Sequence, residues 1–329
     1  MTGSRLPGAE PRTVMTRAPL RISFVGGGSD LPGGRGATVS ASINLYVYCI
    51  ARWRNDRRVY LSWREKEIVG TAEDLKHDLI RESLLMFGIR EGIEIITFAD
   101  IPGVGSGLGS SAATTVAMIR ALCALKGYGI VDSEWLAELA CDVELHRLGR
   151  SGGRQDQYAS AVGGLLLMNF EDGKVSAVQR LADQLYELKI LRDHLLLFRL
   201  KEGRNSEEIL CEFQDCERFR SECVELVEAF CCQLNSSRGD LEPLGRFFYD
   251  HHNLKREYFP GYMGKNLDSM LTDFFGTNFK LCGAGGTGHI LVGTSPEKAE
   301  DATAQALSTL GSPIDFEFTM AGAEVLYVG

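Results

Sequence analysis

The stretch GVGSGLGSSAATT at residues 103–115 carries four glycines and three serines within its first nine positions. The run VAMIRALCAL follows directly, and its composition predicts a helix over about 111–126 that opens at this turn. A glycine-rich turn at a helix start presents backbone N–H groups and the positive end of the helix dipole, which suit the phosphates of a nucleotide. An ordinary capped turn fits the same residues, so this stretch alone leaves both interpretations open.

Strand and helix patterns surround the turn on both sides. Before it, β-branched and aromatic runs predict strands in LRISFV, VSASINLYVYCIARW, RVYLSW and IEIITFADI, with one helix over 74–88. After it, a helix beginning near Ser133, which can cap it, leads into SGGRQDQYASAVGGLLLMNF, a loop followed by a short helix and a strand. Mixed elements of this kind predict an α+β fold.

An acidic, mixed stretch near 170–190 interrupts the pattern and predicts a boundary between two lobes. The second half predicts a strand in HLLLFRL, a long helix over about 205–235 with Asn205 and Glu208 spaced as a capping box, and closing strands in IDFEF and EVLYV. The predicted organisation is therefore a loose polar N-terminal tail at 1–17, an N-terminal lobe at 18–180 and a C-terminal lobe at 181–329.

Composition and charge narrow the class of protein. The chain has 329 residues, of which 44% are hydrophobic and 24% charged, which suits one large folded domain or two ordinary ones. Its net charge of −9 argues against binding nucleic acid or an acidic membrane, so an anionic substrate must be met by local basic groups. The chain has no apolar run of about 18 residues and no apolar segment at its start, so we expect neither a membrane span nor a secretory signal.

Cysteine and histidine spacing gives no sign of a structural metal. The nine cysteines contain no CxxC pair and the six histidines no HxxxH pair, so we expect no zinc site. We interpret the cysteines as reduced packing residues, which indicates a cytoplasmic protein.

Other short motifs point to different classes of enzyme. A Walker A loop requires GxxxxGK[ST], and no GK in this chain precedes Ser or Thr, so a P-loop NTPase is excluded. The HRD and DFG motifs of protein kinases are also absent from the sequence. GAGGTG at 283–288 fits GxGxxG, but a strand pattern follows it, which favours a hairpin over a dinucleotide site. GRSGG at 149–153 fits GxSxG with Ser151 as nucleophile, but a helix pattern precedes it where a hydrolase needs a strand.

Three separated segments together carry a family resemblance. PLRISFVGGGSD at 19–30, GVGSGLGSSAATT at 103–115 and KLCGAGGTGHILV at 280–292 resemble the three motifs of the galactokinase, homoserine kinase, mevalonate kinase and phosphomevalonate kinase (GHMP) superfamily. SGGRQDQY at 151–158 is similar to the segment that carries the catalytic aspartate of that superfamily. The resemblance implies a two-lobed fold, with a βαβ unit of left-handed crossover in the N-terminal lobe and a ferredoxin-like C-terminal lobe.

A narrower resemblance is to the bacterial heptose 7-phosphate kinases. APLRISFVGGGSDLP, RQDQYASAVGG, GRNSEEIL and the terminal GAEVLY carry it, and it extends over nearly the whole chain beyond residue 17. It implies an enzyme that uses ATP and Mg²⁺ to phosphorylate the anomeric O1 of D-glycero-D-manno-heptose 7-phosphate. The implied partner is this small sugar phosphate, with no nucleic acid or membrane, in a monomer or homodimer.

The resemblance assigns roles to matching residues. Asp156 is implied as the catalytic aspartate and Arg21 as the arginine beside the reacting centre, while Ser111 and Glu144 are implied as Mg²⁺ ligands. The implied nucleotide-binding residues are Gly105, Gly107, Leu108, Gly109, Ser110, Ser111 and Ala112. The implied substrate-binding residues are Gly27, Gly28, Ser29, Asp30, Asp156, Arg204, Gly285 and Gly286.

Each of these residues also has an ordinary structural interpretation. Glu144 could be a solvated helix residue paired with Arg147, Asp156 could cap a local turn, and Arg21 could lie on the polar face of a strand. Their joint occurrence at matching spacings favours the catalytic interpretation.

The chain departs from the family pattern at two places. The last motif reads GTGH, with Thr287 and His289, and the loop LPGGRGATVS after Asp30 is short. Both changes bear on the identity of the sugar. The basic candidates for the 7-phosphate are Lys201, Arg204, Lys255 and Arg256. We favour Arg204 among them, and for Lys255 and Arg256 we favour the alternative of a solvated helix face. Another GHMP kinase acting on a free sugar or a mevalonate-type alcohol, and a non-catalytic ligand-binding relative, remain alternatives.

Overall fold

The computed structural model describes residues 12–101, 105–182, 185–200, 217–236, 241, 243–259, 261–286 and 288–329. The predictions for Lys201, Arg204, Asn205, Glu208 and Thr287 lie outside the described residues. The strands are β1 Thr13–Val25, β2 Arg35–Trp53, β3 Val59–Ser62, β4 Lys66–Val69, β5 Ile93–Ala99, β6 Leu165–Glu171, β7 Lys174–Arg180, β8 Leu195–Arg199, β9 Phe279–Leu281, β10 His289–Gly293 and β11 Glu324–Val328. The helices are α1 Asp78–Met86, α2 Ser110–Leu125, α3 Ser133–Cys141, α4 Gln155–Val162, α5 Leu185–Asp193, α6 Glu217–Ser236, α7 Leu244–Tyr258, α8 Lys265–Phe275 and α9 Ala299–Leu310.

A large mixed sheet organises the first part of the chain, in agreement with the predicted α+β class. Its strands follow the order β11-β1-β2-β5-β3-β4, and β6 joins β2 to β7. Helix α2 packs across β1 and β2, and the Thr16 hydroxyl donates to the Ala117 carbonyl at 2.8 Å. Because α2 is apolar around nearly its whole circumference, it lies buried in the core, and its N-terminus is fixed at the glycine-rich turn.

The two ends of the chain meet in this sheet. The prediction of a loose tail up to residue 17 is wrong for residues 13–17, because β1 already begins at Thr13. Val14 and Thr16 alternate inward and have no exposed surface, so this part of the strand is held by the core. Strand β11 covers the edge of β1, so the C-terminal strand belongs to the sheet of the predicted N-terminal lobe.

The second sheet has the antiparallel order β8-β10-β9. The predicted strand in IDFEF is wrong, since residues 312–318 form only an isolated bridge between Phe318 and Ile43. The Ile314 N–H nevertheless donates to the Leu197 carbonyl at 2.7 Å, so this segment follows the free edge of β8. The resulting order agrees with the ferredoxin-like arrangement that the resemblance implied.

Two further expectations can be compared with the described residues. Asp132, not Ser133, caps α3, because its carboxylate accepts from the Trp135 N–H at 2.8 Å. The seven cysteines within the described ranges are free, in agreement with the expectation of reduced packing residues. Across those same ranges, the helices are too short or too polar to cross a bilayer.

A buried lysine joins the second sheet to the end of β1. Lys280 on β9 is 1% exposed, and its ammonium donates to the carbonyls of Ser23 and Phe24, both at 2.8 Å. It lies 2.9 Å from His251 Nδ1, and His251 Nε2–H donates to the Gly27 carbonyl at 3.2 Å. Burial lowers the pKa values of both Lys280 and His251, so the imidazole is neutral at pH 7. This network positions the glycine turn that follows β1.

Replacing Lys280 with methionine is expected to lower the free energy of unfolding by roughly 1–3 kcal/mol, because two buried carbonyls lose their donor. Urea denaturation at pH 7 measures the change. Lys66→Met, at an exposed position of β4, removes a lysine from the surface and serves as the matched control. Equal stability of the two variants would contradict the structural role of Lys280.

Candidate active site

In the glycine-rich turn before α2, every second residue has a left-handed backbone conformation. Gly105, Gly107 and Gly109 have φ angles of +69°, +70° and +74°, values that side-chain-bearing residues rarely adopt. Gly109 holds the N-cap position of α2 and has no side chain with which to cap the helix. The turn is therefore a concave backbone surface at a helix N-terminus, the geometry that accommodates phosphate.

The described part of the hairpin after β9, residues 283–286 and 288, packs directly on this turn. It joins β9 to β10, as the strand pattern after GAGGTG predicted, and not a strand to a helix as a dinucleotide site requires. A Cβ added at Gly107 would lie 2.5 Å from the Cys282 carbonyl oxygen, and one at Gly283 would lie 2.7 Å from Gly107 Cα. His289, the residue that departs from the family motif, is buried and lies with Nδ1 2.6 Å from the Ser106 carbonyl.

Arg21 and Asp156 form a two-point ion pair beside the turn. Arg21 Nε donates to Asp156 Oδ1 at 2.8 Å and Nη2 donates to Oδ2 at 2.6 Å, while Nη1 donates to the Gly107 carbonyl at 2.6 Å. Arg21 is buried on β1, but the Asp156 side chain is 32% exposed at the start of α4. The carboxylate is thus fixed in orientation and still open to a ligand. These contacts argue against the two ordinary interpretations, in which Arg21 lies on the polar face of a strand and Asp156 caps a local turn.

Ser111 and Glu144 also meet, in the first turn of α2. Ser111 Oγ lies 3.0 Å from Glu144 Oε2, and Gln157 donates to Glu144 Oε1 at 3.1 Å. Glu144 is buried in a π-helical turn that continues α3, and burial raises its pKa. The proposed partner Arg147 instead bonds Asp142 at 3.1 Å. Glu144 is therefore not a solvated helix residue.

Arg150 brings a cation to the Ser111–Glu144 pair. Its Nη1 donates to Ser111 Oγ at 3.0 Å and lies 4.0 Å from Glu144 Oε2, while Asp78 accepts from Nη2 at 2.9 Å. A hydroxyl and a carboxylate that already attract a positive charge suit Mg²⁺, which is often bound by one or two protein oxygens. The residues present therefore fit the implied metal. No sequence motif marked Arg150, although it lies in the loop between Glu144 and Asp156.

Asp30 and Ser29 have different surroundings from those implied. Asp30 accepts from the backbone N–H groups of Gly28 and Gln155, both at 3.1 Å, and burial, followed by the charge of Asp156, raises its pKa. It lies close enough to Asp156 to affect the same site. Ser29 is fully buried, and its hydroxyl bonds the backbone of Ala37 as both donor and acceptor, so substrate binding at Ser29 stays a prediction.

Of the remaining glycines, Gly28, Gly285 and Gly286 contact aromatic residues of the second half of the chain, whereas Gly27 lies against Ser23 and Gln155. A Cβ at Gly28 would lie 3.1 Å from Phe259 and 3.4 Å from Phe219. Gly285 lies against Tyr262, and Gly286 N–H donates to the Tyr262 carbonyl at 2.8 Å. Substrate contact at these glycines stays a prediction.

The interpretation of Lys255 as part of a solvated helix face is wrong. Lys255 is 5% exposed and donates to the Gly283 carbonyl at 2.8 Å, whereas Arg256 is partly exposed and pairs with Asp268 at 3.0 Å. The spacing of Phe248, His251, His252 and Lys255 places all four on the buried face of α7. That helical spacing is the sequence signal that could have identified Lys255.

Comparisons with known proteins agree with this geometry. Residues 67–164 match the family described as GHMP kinases N terminal domain. The chain is 31% identical over 182 residues to a D-glycero-alpha-D-manno-heptose 7-phosphate kinase of Campylobacter jejuni, an alignment that covers 50% of this chain and 52% of that protein. It is 29% identical over 181 residues to a mevalonate kinase of Thermococcus onnurineus, covering 49% and 52%. The chain thus spans about half the length of the curated relatives it matches.

The fold extends the likeness over nearly the whole chain. A crystal structure described as a D-glycero-D-manno-heptose 1-phosphate kinase from Bacteroides thetaiotaomicron superposes with a TM-score of 0.77 at 24% identity, covering 96% of this chain and 99% of that one. At this identity the superposition establishes the fold alone. Residues 67–164 of the chain match the N-terminal domain of GHMP kinases, and the chain has the fold of the solved heptose phosphate kinase.

Proposed function

We propose that this protein transfers the γ-phosphoryl group of ATP to the anomeric O1 of D-glycero-D-manno-heptose 7-phosphate. The observation that carries the proposal is the Arg21–Asp156 pair, a fixed and partly exposed carboxylate beside the glycine turn. Phosphoryl transfer needs a group that orients the acceptor hydroxyl, a surface that holds the nucleotide phosphates, and positive charge near the transferred group. The site offers a candidate for each.

Asp156 would accept the proton of the acceptor hydroxyl. As the sugar oxygen forms its bond to the γ-phosphorus, the bond from that phosphorus to the β–γ bridging oxygen breaks and ADP leaves. The hydroxyl proton passes to Asp156 and then to water. Arg21 keeps the Asp156 carboxylate oriented through two hydrogen bonds, and its charge offsets the negative charge on the transferring group.

The backbone of residues 105–112 would hold the ATP phosphates at the N-terminus of α2. Ser111 and Glu144 would hold Mg²⁺, which when bound neutralises phosphate charge and fixes the orientation of the β- and γ-phosphates. Arg150 would have to move from Ser111 when the metal binds, and Asp78 retains its guanidinium nearby.

Gly107 provides a test of the nucleotide site. Gly107→Ala is expected to weaken Mg·ATP binding about 10-fold or more, because the added Cβ lies 2.5 Å from the Cys282 carbonyl and must shift the turn. Gly127→Ala is the matched control, since its φ of +76° imposes similar backbone strain but no atom lies within 4 Å of the added Cβ. Isothermal titration calorimetry measures both dissociation constants. Equal affinity in the two variants would show that the turn does not hold the nucleotide.

The choice of sugar rests on the relatives and on the glycines after β1. Two of the similar proteins are described as heptose phosphate kinases. Gly27 and Gly28 carry no side chain that would bond a terminal sugar hydroxyl. A mevalonate-type alcohol is the second candidate, favoured by the likeness to mevalonate kinases.

An acceptor panel distinguishes these substrates. ADP release with Mg·ATP is followed for heptose 7-phosphate, generated from sedoheptulose 7-phosphate and its isomerase, and for mannose 6-phosphate, mannose, galactose, fucose and mevalonate. We expect turnover with the heptose phosphate at a kcat/KM at least about tenfold above that of the other acceptors, a difference of 1.4 kcal/mol. A preference for mevalonate or a free sugar would overturn the assigned acceptor. No turnover with any of the six would overturn the kinase assignment for this set of acceptors.

A further inference from the structure

Lys255 is a buried cation on α7 that the mechanism above does not use. Lys255 is 5% exposed, yet the one hydrogen bond of its ammonium within the described ranges goes to a neutral group, the Gly283 carbonyl, at 2.8 Å. No carboxylate among the described residues lies within salt-bridge distance of it. A buried charge normally has an ionic partner, because burial without one is costly. Lys255 therefore lacks the kind of partner that a bound anion would supply.

Its neighbours place Lys255 between the two motifs of the site. On one side, Gly283 lies against Gly107, whose carbonyl accepts from Arg21 of the catalytic pair. On the other side, the Lys255 ammonium lies 5.5 Å from the centre of the Phe259 ring, and Phe259 packs on Gly28. The ammonium thus lies between the Arg21 side of the site and the glycine turn after β1.

The surrounding charges act on this ammonium. Burial lowers the pKa of Lys255 to about 8, against smaller opposing effects of Cys223, Asp30 and Asp156, while Arg21 lowers it further. Asp30, Asp156 and Arg21 all affect the pKa of Lys255, which is consistent with the position of its ammonium near the Arg21–Asp156 pair that the contacts indicate. The ammonium is therefore charged at neutral pH.

We propose that Lys255 binds the phosphomonoester carried by the acceptor sugar. The inference rests on the proposed function, and it places the acceptor phosphate between Gly28 and Gly283, next to Phe259. A phosphomonoester offers three acceptor oxygens to the ammonium, and such a charge-assisted contact is stronger than a neutral one. Arg204, the residue favoured from the sequence, lies outside the described residues and is tested separately.

The test measures binding without catalysis. The dissociation constants of mannose 6-phosphate and mannose are determined by calorimetry in the absence of ATP, for the wild-type chain and for Lys255→Gln. Glutamine retains an N–H donor for the Gly283 carbonyl but removes the charge. We expect the mannose 6-phosphate affinity of Lys255→Gln to fall about 10- to 100-fold, the value of a hydrogen bond to a charged group, with mannose affinity nearly unchanged.

Arg246→Met is the matched control. Arg246 lies on the same helix, its side chain is 81% exposed, and its removal changes the net charge by the same amount. Equal losses of mannose 6-phosphate affinity in Lys255→Gln and Arg246→Met would show a general charge effect and overturn the proposal. Equal losses for mannose 6-phosphate and mannose in Lys255→Gln would show a structural role and overturn it as well. Melting temperatures of both variants verify that each is folded.

The pH dependence gives a second readout. Because the ammonium loses its charge as pH rises through about 8, wild-type affinity for mannose 6-phosphate should decline between pH 7 and 9.5. The sugar phosphate does not titrate in that range, since its second pKa is about 6. Lys255→Gln should show a flatter profile. Selective phosphate binding with no kinase activity would leave this proposal standing and overturn only the proposed function.

Discussion

Replacing Asp156 with alanine is expected to lower kcat by about 10²- to 10⁴-fold while leaving the dissociation constant for Mg·ATP nearly unchanged. The carboxylate lies at the acceptor side of the glycine turn and contacts the chain chiefly through Arg21, so its removal affects the hydroxyl more than the nucleotide. Single-turnover kinetics gives the rate of transfer, and calorimetry gives nucleotide affinity. Comparable losses in both would indicate that Asp156 acts by holding Arg21 and the turn.

Asp56→Ala is the matched control for that experiment. Asp56 accepts two hydrogen bonds from Arg54, at 3.0 and 2.8 Å. The Asp56→Ala substitution therefore breaks an aspartate–arginine pair of similar geometry outside the site. Its side chain is 41% exposed against 32% for Asp156. We expect Asp56→Ala to retain wild-type turnover. A comparable drop in kcat in this variant would attribute the effect of Asp156→Ala to stability.

Glu144→Gln is expected to lower kcat by about 100-fold and to raise the Mg²⁺ concentration for half-maximal activity at least about tenfold, because one anionic metal ligand is lost. Mn²⁺ binding followed by electron paramagnetic resonance measures metal affinity independently of turnover. Burial raises the pKa of Glu144, which means that its charged form is less favourable in the folded chain than in the unfolded one. The amide variant should therefore melt at or above the wild-type temperature.

Glu82→Gln is the control for the metal prediction. Glu82 is a shielded carboxylate on α1 that pairs with Arg81 at 3.2 Å and is not among the implied metal ligands. Its replacement should leave Mn²⁺ affinity unchanged. If Glu144→Gln also retained wild-type Mn²⁺ affinity, Glu144 would not be a metal ligand.

Much of the fold could be predicted because its elements have strong local patterns. The apolar run after residue 110 produced α2, and the β-branched run in VSASINLYVYCIARW produced β2. The start of β1 and the role of β11 could not be predicted, because they depend on pairing between the two ends of the chain. IDFEF has strand composition, but its backbone makes few ladder bonds at the edge of β8.

The site was predictable where chemistry is encoded within motifs. Arg21, Ser111 and Asp156 come from three separated motifs and Glu144 from the helical stretch before the last of these, and all four lie around the turn. Lys280 and Arg150 could not be assigned in this way, because their roles depend on contacts with residues distant in sequence, Ser23 and Asp78. Lys255 was misassigned because a charged residue on a helix is usually solvated, whereas here the hairpin after β9 covers it.

The central claim is direct phosphoryl transfer to O1 of the sugar phosphate, and ³¹P nuclear magnetic resonance of the reaction tests it most directly. With Mg·ATP and heptose 7-phosphate, the account predicts one ADP for each new phosphate ester, with the new phosphorus coupled to the anomeric proton. Hydrolysis of ATP to inorganic phosphate without a new sugar ester, or an ester at another carbon, would contradict it.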